Sequence, residues 1–134
     1  MARNHFVSCY AYDRERKRLL VRRMVEGKSA GLLNAFGRAK KATESSRQAT
    51  AILFKEQTGI DTRVADWWYF GTVEAEKWVM VLYKAELDLP EPKEPLDIVD
   101  LQSAYASDEL APYVQMLALA GQQDIKSVTL YGVE

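Results

Sequence analysis

Residues 36–60 read FGRAKKATESSRQATAILFKEQTGI, and the fold turns on how this stretch begins and ends. Ser45 and Gln48 have capping-box spacing, in which the serine oxygen accepts a first-turn backbone N–H and the glutamine reaches back to the cap. Gly59 stands where a helix stops in a left-handed residue that glycine adopts without steric penalty. A helix over 46–58 is the expectation. Ahead of it, LLNAFG (Leu32–Gly37) is a short apolar run ending in glycine, as for a strand entering a turn. Between strand and helix lies a loop carrying Arg38, Lys40, Lys41 and Glu44.

The spacing of this stretch resembles the Nudix box, the signature of enzymes that cleave a nucleoside diphosphate linked to another group. The box runs glycine, five residues, glutamate, seven residues, then arginine, glutamate, apolar, any, glutamate, glutamate, any, glycine, apolar. Glu44, Phe54, Glu56, Gly59 and Ile60 match, while Arg38, Ile52, Leu53 and Gln57 replace glycine, arginine, glutamate and glutamate. Positions 53, 56 and 57 share one helix face. The resemblance implies magnesium held there by three carboxylates, since this hard cation takes oxygen ligands and shares them with substrate phosphates. The metal would activate water and neutralise charge on the phosphate under attack. In this chain Leu53 offers no ligand, Gln57 offers a neutral carbonyl oxygen, and Glu56 remains. Magnesium, weakly held, is the one cofactor expected, with Glu56 and Gln57 as its ligands and Glu56 and Glu44 as residual catalytic groups.

Ile52, Leu53 and Phe54 are consecutive, so they point around most of the helix, and a helix apolar all round is covered on several sides. Either the face at Leu53 is filled by the protein's own core, or it lines an apolar pocket or a partner contact. The loop has changed in the opposite sense, gaining cations where the box is rich in glycine. Gly37, Arg38, Lys40, Lys41 and Arg47 are therefore the candidate ligand-binding residues. A loop leading into a helix N-terminus favours anions, and arginine binds phosphate in bidentate fashion. The plain alternative is that these are solvated surface charges.

The 134 residues are 48% hydrophobic, enough for a single domain over 1–134 with a proper core. A net charge of -1 with 28% charged residues speaks against a general nucleic-acid or membrane-surface binder. Cys9 and His5 are each the sole residue of their type, which excludes an internal disulfide and a zinc cluster of cysteines and histidines. No signal peptide or membrane-spanning run is legible, so the cytoplasm is the expected location.

The remaining elements follow from pattern. His5–Tyr12 and Leu19–Met24 read as strands around the charged turn DRERKR, and 26–31 as a loop. Arg63–Val73 and Lys77–Leu87 read as strands rich in β-branched and aromatic residues. An extended proline-containing acidic loop, a short strand over 96–101 and a helix over Asp108–Gln122 capped by Asp108 come next. A last strand spans Ile125–Gly132 and pairs with its own sheet or a neighbour's. The order gives an α+β fold of the Nudix type, an α/β/α sandwich with a mixed central sheet and two main helices. The resemblance covers roughly 5–120.

In WWYF, Trp67 and Tyr69 should share one strand face, and Trp68 and Phe70 the other. Core on one face and a homodimer contact on the other is the expectation, through Trp67 and Tyr69 or through Ile52 and Leu53; a base-stacking role is the second use of such aromatics. Glu86, Glu91 and Glu94 are candidates by position alone for a further acidic group. Two functions compete: a binder of a nucleotide, another phosphorylated small molecule or a protein partner with little or no hydrolysis, and a magnesium-dependent pyrophosphohydrolase with a rebuilt metal site.

Overall fold

The computed structural model describes residues 3–25, 27, 30–104, 108–123 and 128–131. Its organising element is β1 (Asn4–Tyr12), which pairs in parallel along its whole length with β6 (Trp78–Glu86). From Val7 to Tyr12 every residue of β1 is buried. That follows from its place, since a strand covered on both faces carries a continuous apolar run rather than an alternating one. Val7, Cys9 and Ala11 point to one layer and Tyr10 and Tyr12 to the other.

The far edge of β1 is shared. Its first half pairs with β4 (Phe36–Ala39) and its last two residues with β2 (Arg18–Arg23), so the sheet forks there. Beyond β2 lie β3 (Leu33–Asn34) and β7 (Leu96–Asp100), both antiparallel to it. On the other side, β5 (Trp68–Glu74) pairs antiparallel with β6 through a bulge between Tyr69 and Gly71. β8 (Val128–Tyr131) then adds in parallel to β5. The terminal strand therefore joins its own sheet; the expected ends at Ile125 and Gly132, like Glu26, Lys28 and Ser29 of the expected loop, lie outside the described residues.

Helix α1 (Ser46–Thr58) covers one face, with Leu53 and Phe54 packed on Val7, Cys9, Phe36 and Trp67. The short α2 (Leu101–Ala104) and α3 (Pro112–Gln122) cover the other, with Leu101, Val114 and Leu117 beside Tyr10, Tyr12, Phe70 and Leu82. The result is the expected sandwich. Both ends of α1 fall where capping chemistry placed them: Ser45 accepts from Gln48 N and Gln48 accepts from Ser45 N, while Gly59 has φ 78°.

Four local expectations change. Gly37 lies inside β4 opposite Ser8 rather than in a turn, and a Cβ there would stand 2.7 Å from the Val7 carbonyl oxygen. Close backbone approach, not a left-handed conformation, explains that glycine. Arg63–Trp67 is not strand, because the Asp66 carboxylate accepts from Arg63 N and closes a 3-10 turn over Val64–Asp66. The last helix starts at Pro112 with Ala111 as its cap, so Asp108 does not cap it. Residues 109–111 run extended along β3, with Leu33 N donating to the Glu109 carbonyl and Ala111 N to the Leu33 carbonyl. Proline also disfavours a helical residue before it. Finally, 101–104 form α2 rather than ending the strand.

Candidate functional site

At the fork, β4 delivers Gly37 and Arg38 toward α1. The Arg38 guanidinium sits between two carboxylates. Its Nη1 and Nη2 donate to the Glu44 oxygens at 2.7 and 3.3 Å, and its Nε donates to Glu56 Oε1 at 3.3 Å. Nη1 also donates to the Ala39 carbonyl at 2.8 Å. Four of the five N–H donors of a guanidinium are thus engaged within the chain. The Arg38 side chain is 19% exposed and that of Glu44 10%. Glu44 further accepts from Lys41 N at 2.9 Å. The Arg38 hydrogen bonds, followed by this backbone N–H, pull the Glu44 carboxyl down to about 2, and the Arg38 guanidinium is raised in return.

Leu53 has no exposure at all and belongs to the α1-side core. Of the alternatives open from sequence, this position is core. Phe54 is buried with it, edge-on to both Phe36 and Trp67, while Ile52 is 44% exposed. Gln57 donates from Nε2 to the Gly37 carbonyl at 2.9 Å, and its Oε1 is buried without a hydrogen-bond partner among the described residues.

The loop cations divide into committed and open ones. Lys40 Nζ donates to the carbonyls of Lys41 and Glu44, tying the loop to itself. The Lys41 side chain is exposed. Arg47, on the first turn of α1, donates from Nε to the Trp67 carbonyl at 2.7 Å, and its guanidinium lies 5.9 Å from the centroid of the Trp68 ring. Its terminal nitrogens make no hydrogen bond among the described residues. Trp68 is 65% exposed and Tyr69 46%, whereas Trp67 and Phe70 are buried on opposite sides of the sheet. Trp67 and Leu53 are therefore held inside the chain; of the residues expected at a homodimer contact, Tyr69 and Ile52 reach the surface.

Glu86, at the end of β6, pairs with Arg16 of the β1–β2 turn at 3.7 Å. Glu91 and Glu94 lie exposed on the loop 87–95. The structure thus gathers Gly37, Arg38, Glu44, Glu56 and Gln57 into one cluster and Arg47 and Trp68 into a neighbouring one on α1. The role of Arg38 as a bridge escaped sequence reasoning, although the signal was there: a long cation where the pattern has glycine, preceding two glutamates that a strand-loop-helix return must bring back.

These donors do not fit the three-carboxylate magnesium site that the resemblance implied. Leu53 lies in the core, and both remaining carboxylates are bound to a guanidinium. Among the described residues no group of three or more His, Cys, Asp or Glu is placed to hold a metal ion.

No protein-family model and no curated protein sequence matches the chain. Solved structures do. A NUDIX hydrolase from Nitrosomonas europaea superposes with TM-score 0.75 at 12% identity, over 99% of this chain and 80% of that one. A MutT protein from Bacillus halodurans gives 0.73 at 16% identity, over 96% and 89%. A MutT/nudix family protein from Enterococcus faecalis gives 0.57 at 15% identity over 75% of this chain, which spans 44% of the length of that protein. The chain has the Nudix fold. At such identities the likeness establishes architecture, and activity has to be argued from the site.

Proposed function

We propose that this Nudix-fold protein binds a nucleotide, or a closely similar phosphorylated aromatic molecule, with little or no hydrolysis. The observation that carries it is the Arg47–Trp68 pair: a guanidinium anchored through Nε, its fork open, beside a tryptophan that is 65% exposed. A planar fork holds phosphate oxygens in bidentate fashion, and an exposed indole offers a face on which a base can stack. Lys41, exposed on the loop that leads into α1, adds a positive charge, while Arg38 and Lys40 hold that loop's shape. Weak hydrolysis follows from Leu53 and from the pairing of Glu44 and Glu56 with Arg38, since a cluster whose charge is halved by a guanidinium attracts magnesium less than three free carboxylates would.

A thermal-shift panel of nucleotides with and without magnesium tests this reading, because a ligand that binds only the folded state raises the melting temperature according to its affinity and concentration. The expected result is stabilisation that does not require magnesium. Magnesium-dependent product release from the same panel at roughly 1 per second or faster, an ordinary enzyme turnover, would overturn it in favour of a pyrophosphohydrolase using Glu56 with substrate-borne metal.

A further inference from the structure

We propose that the cavity beside Trp68 receives the ring of the bound nucleotide and selects a base that carries an exocyclic amino group. The inference rests on the nucleotide reading above and names the kind of base.

The cavity has a volume of about 280 Å3 and is walled by Trp68, Lys84, Arg14, Asp66, Glu86 and two alanines. That lies at the small end of ligand pockets, a size for one flat ring system rather than a whole nucleotide. Trp68 joins it to Arg47, whose guanidinium lies 5.9 Å from the indole centroid. Phosphate on the arginine fork and a base beside the indole are then neighbours.

The polar walls differ in what they have left to offer. Lys84 Nζ donates to the carbonyls of Gly121 and Gln123 at 2.9 and 3.2 Å. Arg14, its side chain 63% exposed, donates from Nε and Nη2 to the Asp88 carboxylate and from Nη1 to the Glu86 carbonyl. Both cations are thus engaged within the chain. The two carboxylates keep capacity in hand. Asp66 accepts from Arg63 N at 2.8 Å on one oxygen and from Arg63 Nη2 at 3.2 Å on the other, whereas an ionised carboxylate offers about four acceptor positions. The Arg63 backbone N–H, foremost, holds the Asp66 carboxyl below its usual range, so it stays an acceptor. The Glu86 carboxylate meets Arg16 at 3.7 Å, beyond hydrogen-bond range. What the cavity has open is therefore chiefly acceptance. An amino group donates to a carboxylate, while a ring without one leaves that carboxylate desolvated and unmatched.

The test uses two pairs of 5′-monophosphates, the members of each differing by one amino group: AMP with purine riboside monophosphate, and GMP with IMP. Calorimetric titration of the whole chain gives the affinity ratio within each pair. The amino-bearing member of at least one pair should bind the parent about tenfold more tightly or better, the effect of one hydrogen bond to a charged group. That ratio should fall in Asp66→Asn, which keeps an oxygen for Arg63 N, and in Glu86→Ala, and it should approach unity when the two are combined. A merely structural effect of either substitution weakens both members alike and leaves the ratio where it was. Should Asp66→Asn not fold, Glu86→Ala alone must lower the ratio.

Ratios near unity in both pairs, or a ratio that the substitutions leave untouched, overturn the inference while the nucleotide reading stands. Failure of all the monophosphates to bind removes both.

Discussion

Tyr12 and Gly121 are matched to each other across the α3 side of the sheet. The Tyr12 hydroxyl donates to the Ala118 carbonyl at 2.6 Å, and a Cβ on Gly121 would fall well inside contact distance of that hydroxyl oxygen. Glycine in a helix is a liability of about 1 kcal/mol against alanine, so its presence reflects this contact. Gly121→Ala should destabilise the protein by about 1–3 kcal/mol, as overpacking does, despite the better helix propensity. Urea denaturation of Gly121→Ala, Tyr12→Phe and the double mutant measures the coupling. The double mutant should lose less than the sum of the single ones, because the phenylalanine ring leaves more room.

Gly71 has the same kind of reason. A Cβ there would overlap the Val128 carbonyl, so β8 lies against β5 only because residue 71 has no side chain. Gly71→Ala should release β8 while leaving β1, β6 and α1 in place. Hydrogen exchange at 128–131 should rise toward unprotected rates while β1 amides stay protected. Unchanged protection of β8 would show that the strand can shift without loss.

These two glycines mark the boundary of what could be read from sequence. The limits of α1, its capping box, the succession of strands and helices along the chain and the sandwich were legible, because each rests on local chemistry or on a period of apolar residues. Gly37, Gly71 and Gly121 were opaque, since their reason lies in backbone or hydroxyl groups 30 to 109 positions away. The α3 start was misread for a related cause, as the backbone of 109–111 is hydrogen-bonded to Leu33 of β3, a distant partner. At the site, the missing box glutamates were visible directly. That Arg38 holds the two remaining glutamates was not, since it depends on how β4 and α1 are placed.

Leu53 gives a prediction about the helix face that the box resemblance assigned to magnesium. It has no solvent exposure and packs among Phe36, Phe54 and Trp67. Leu53→Glu with Gln57→Glu restores the carboxylate pattern on paper but buries an unpaired carboxylate. The double mutant should lose several kcal/mol of stability, and magnesium should not recover it. A melting series with and without magnesium decides; a stable double mutant that gains a magnesium-dependent rise would show that the face at 53 opens readily.

Glu44 sets a pH dependence. Its folded carboxyl is depressed from the usual 4.5 to about 2, chiefly by the Arg38 hydrogen bonds. For a depressed carboxyl, the stabilising contribution is present above the unfolded value and is lost as pH falls through the folded one. The parent should therefore lose this contribution between about pH 4.5 and 2. Glu44→Gln should be less stable than the parent at pH 6, and the gap should narrow as the pH is lowered through that window. Acid titrations of both proteins, each followed by circular dichroism, test the sign; a gap that widens on acidification contradicts the assignment.

Arg47 and Trp68 separate the proposed ligand site from the Arg38 cluster. Arg47→Ala removes the open fork and its contact over Trp68, but also its hydrogen bond to the Trp67 carbonyl, so stability should fall by about 1 kcal/mol. Arg47→Lys keeps the charge and loses the bidentate geometry. Nucleotide affinity should drop most in Arg47→Ala and less in Arg47→Lys. Trp68→Ala deletes a side chain that is mostly exposed, so its stability should stay near the parent's while its nucleotide affinity falls through lost stacking. Arg38→Met should leave affinity within a few-fold of the parent, because Arg38 is engaged with Glu44 and Glu56 rather than open to ligand. Calorimetric titration of the four variants with one nucleotide, at matched ionic strength since screening weakens such contacts, gives the ranking. If Arg38→Met loses affinity as severely as Arg47→Ala, phosphate is held at the Arg38 cluster and the placement on Arg47 and Trp68 is wrong.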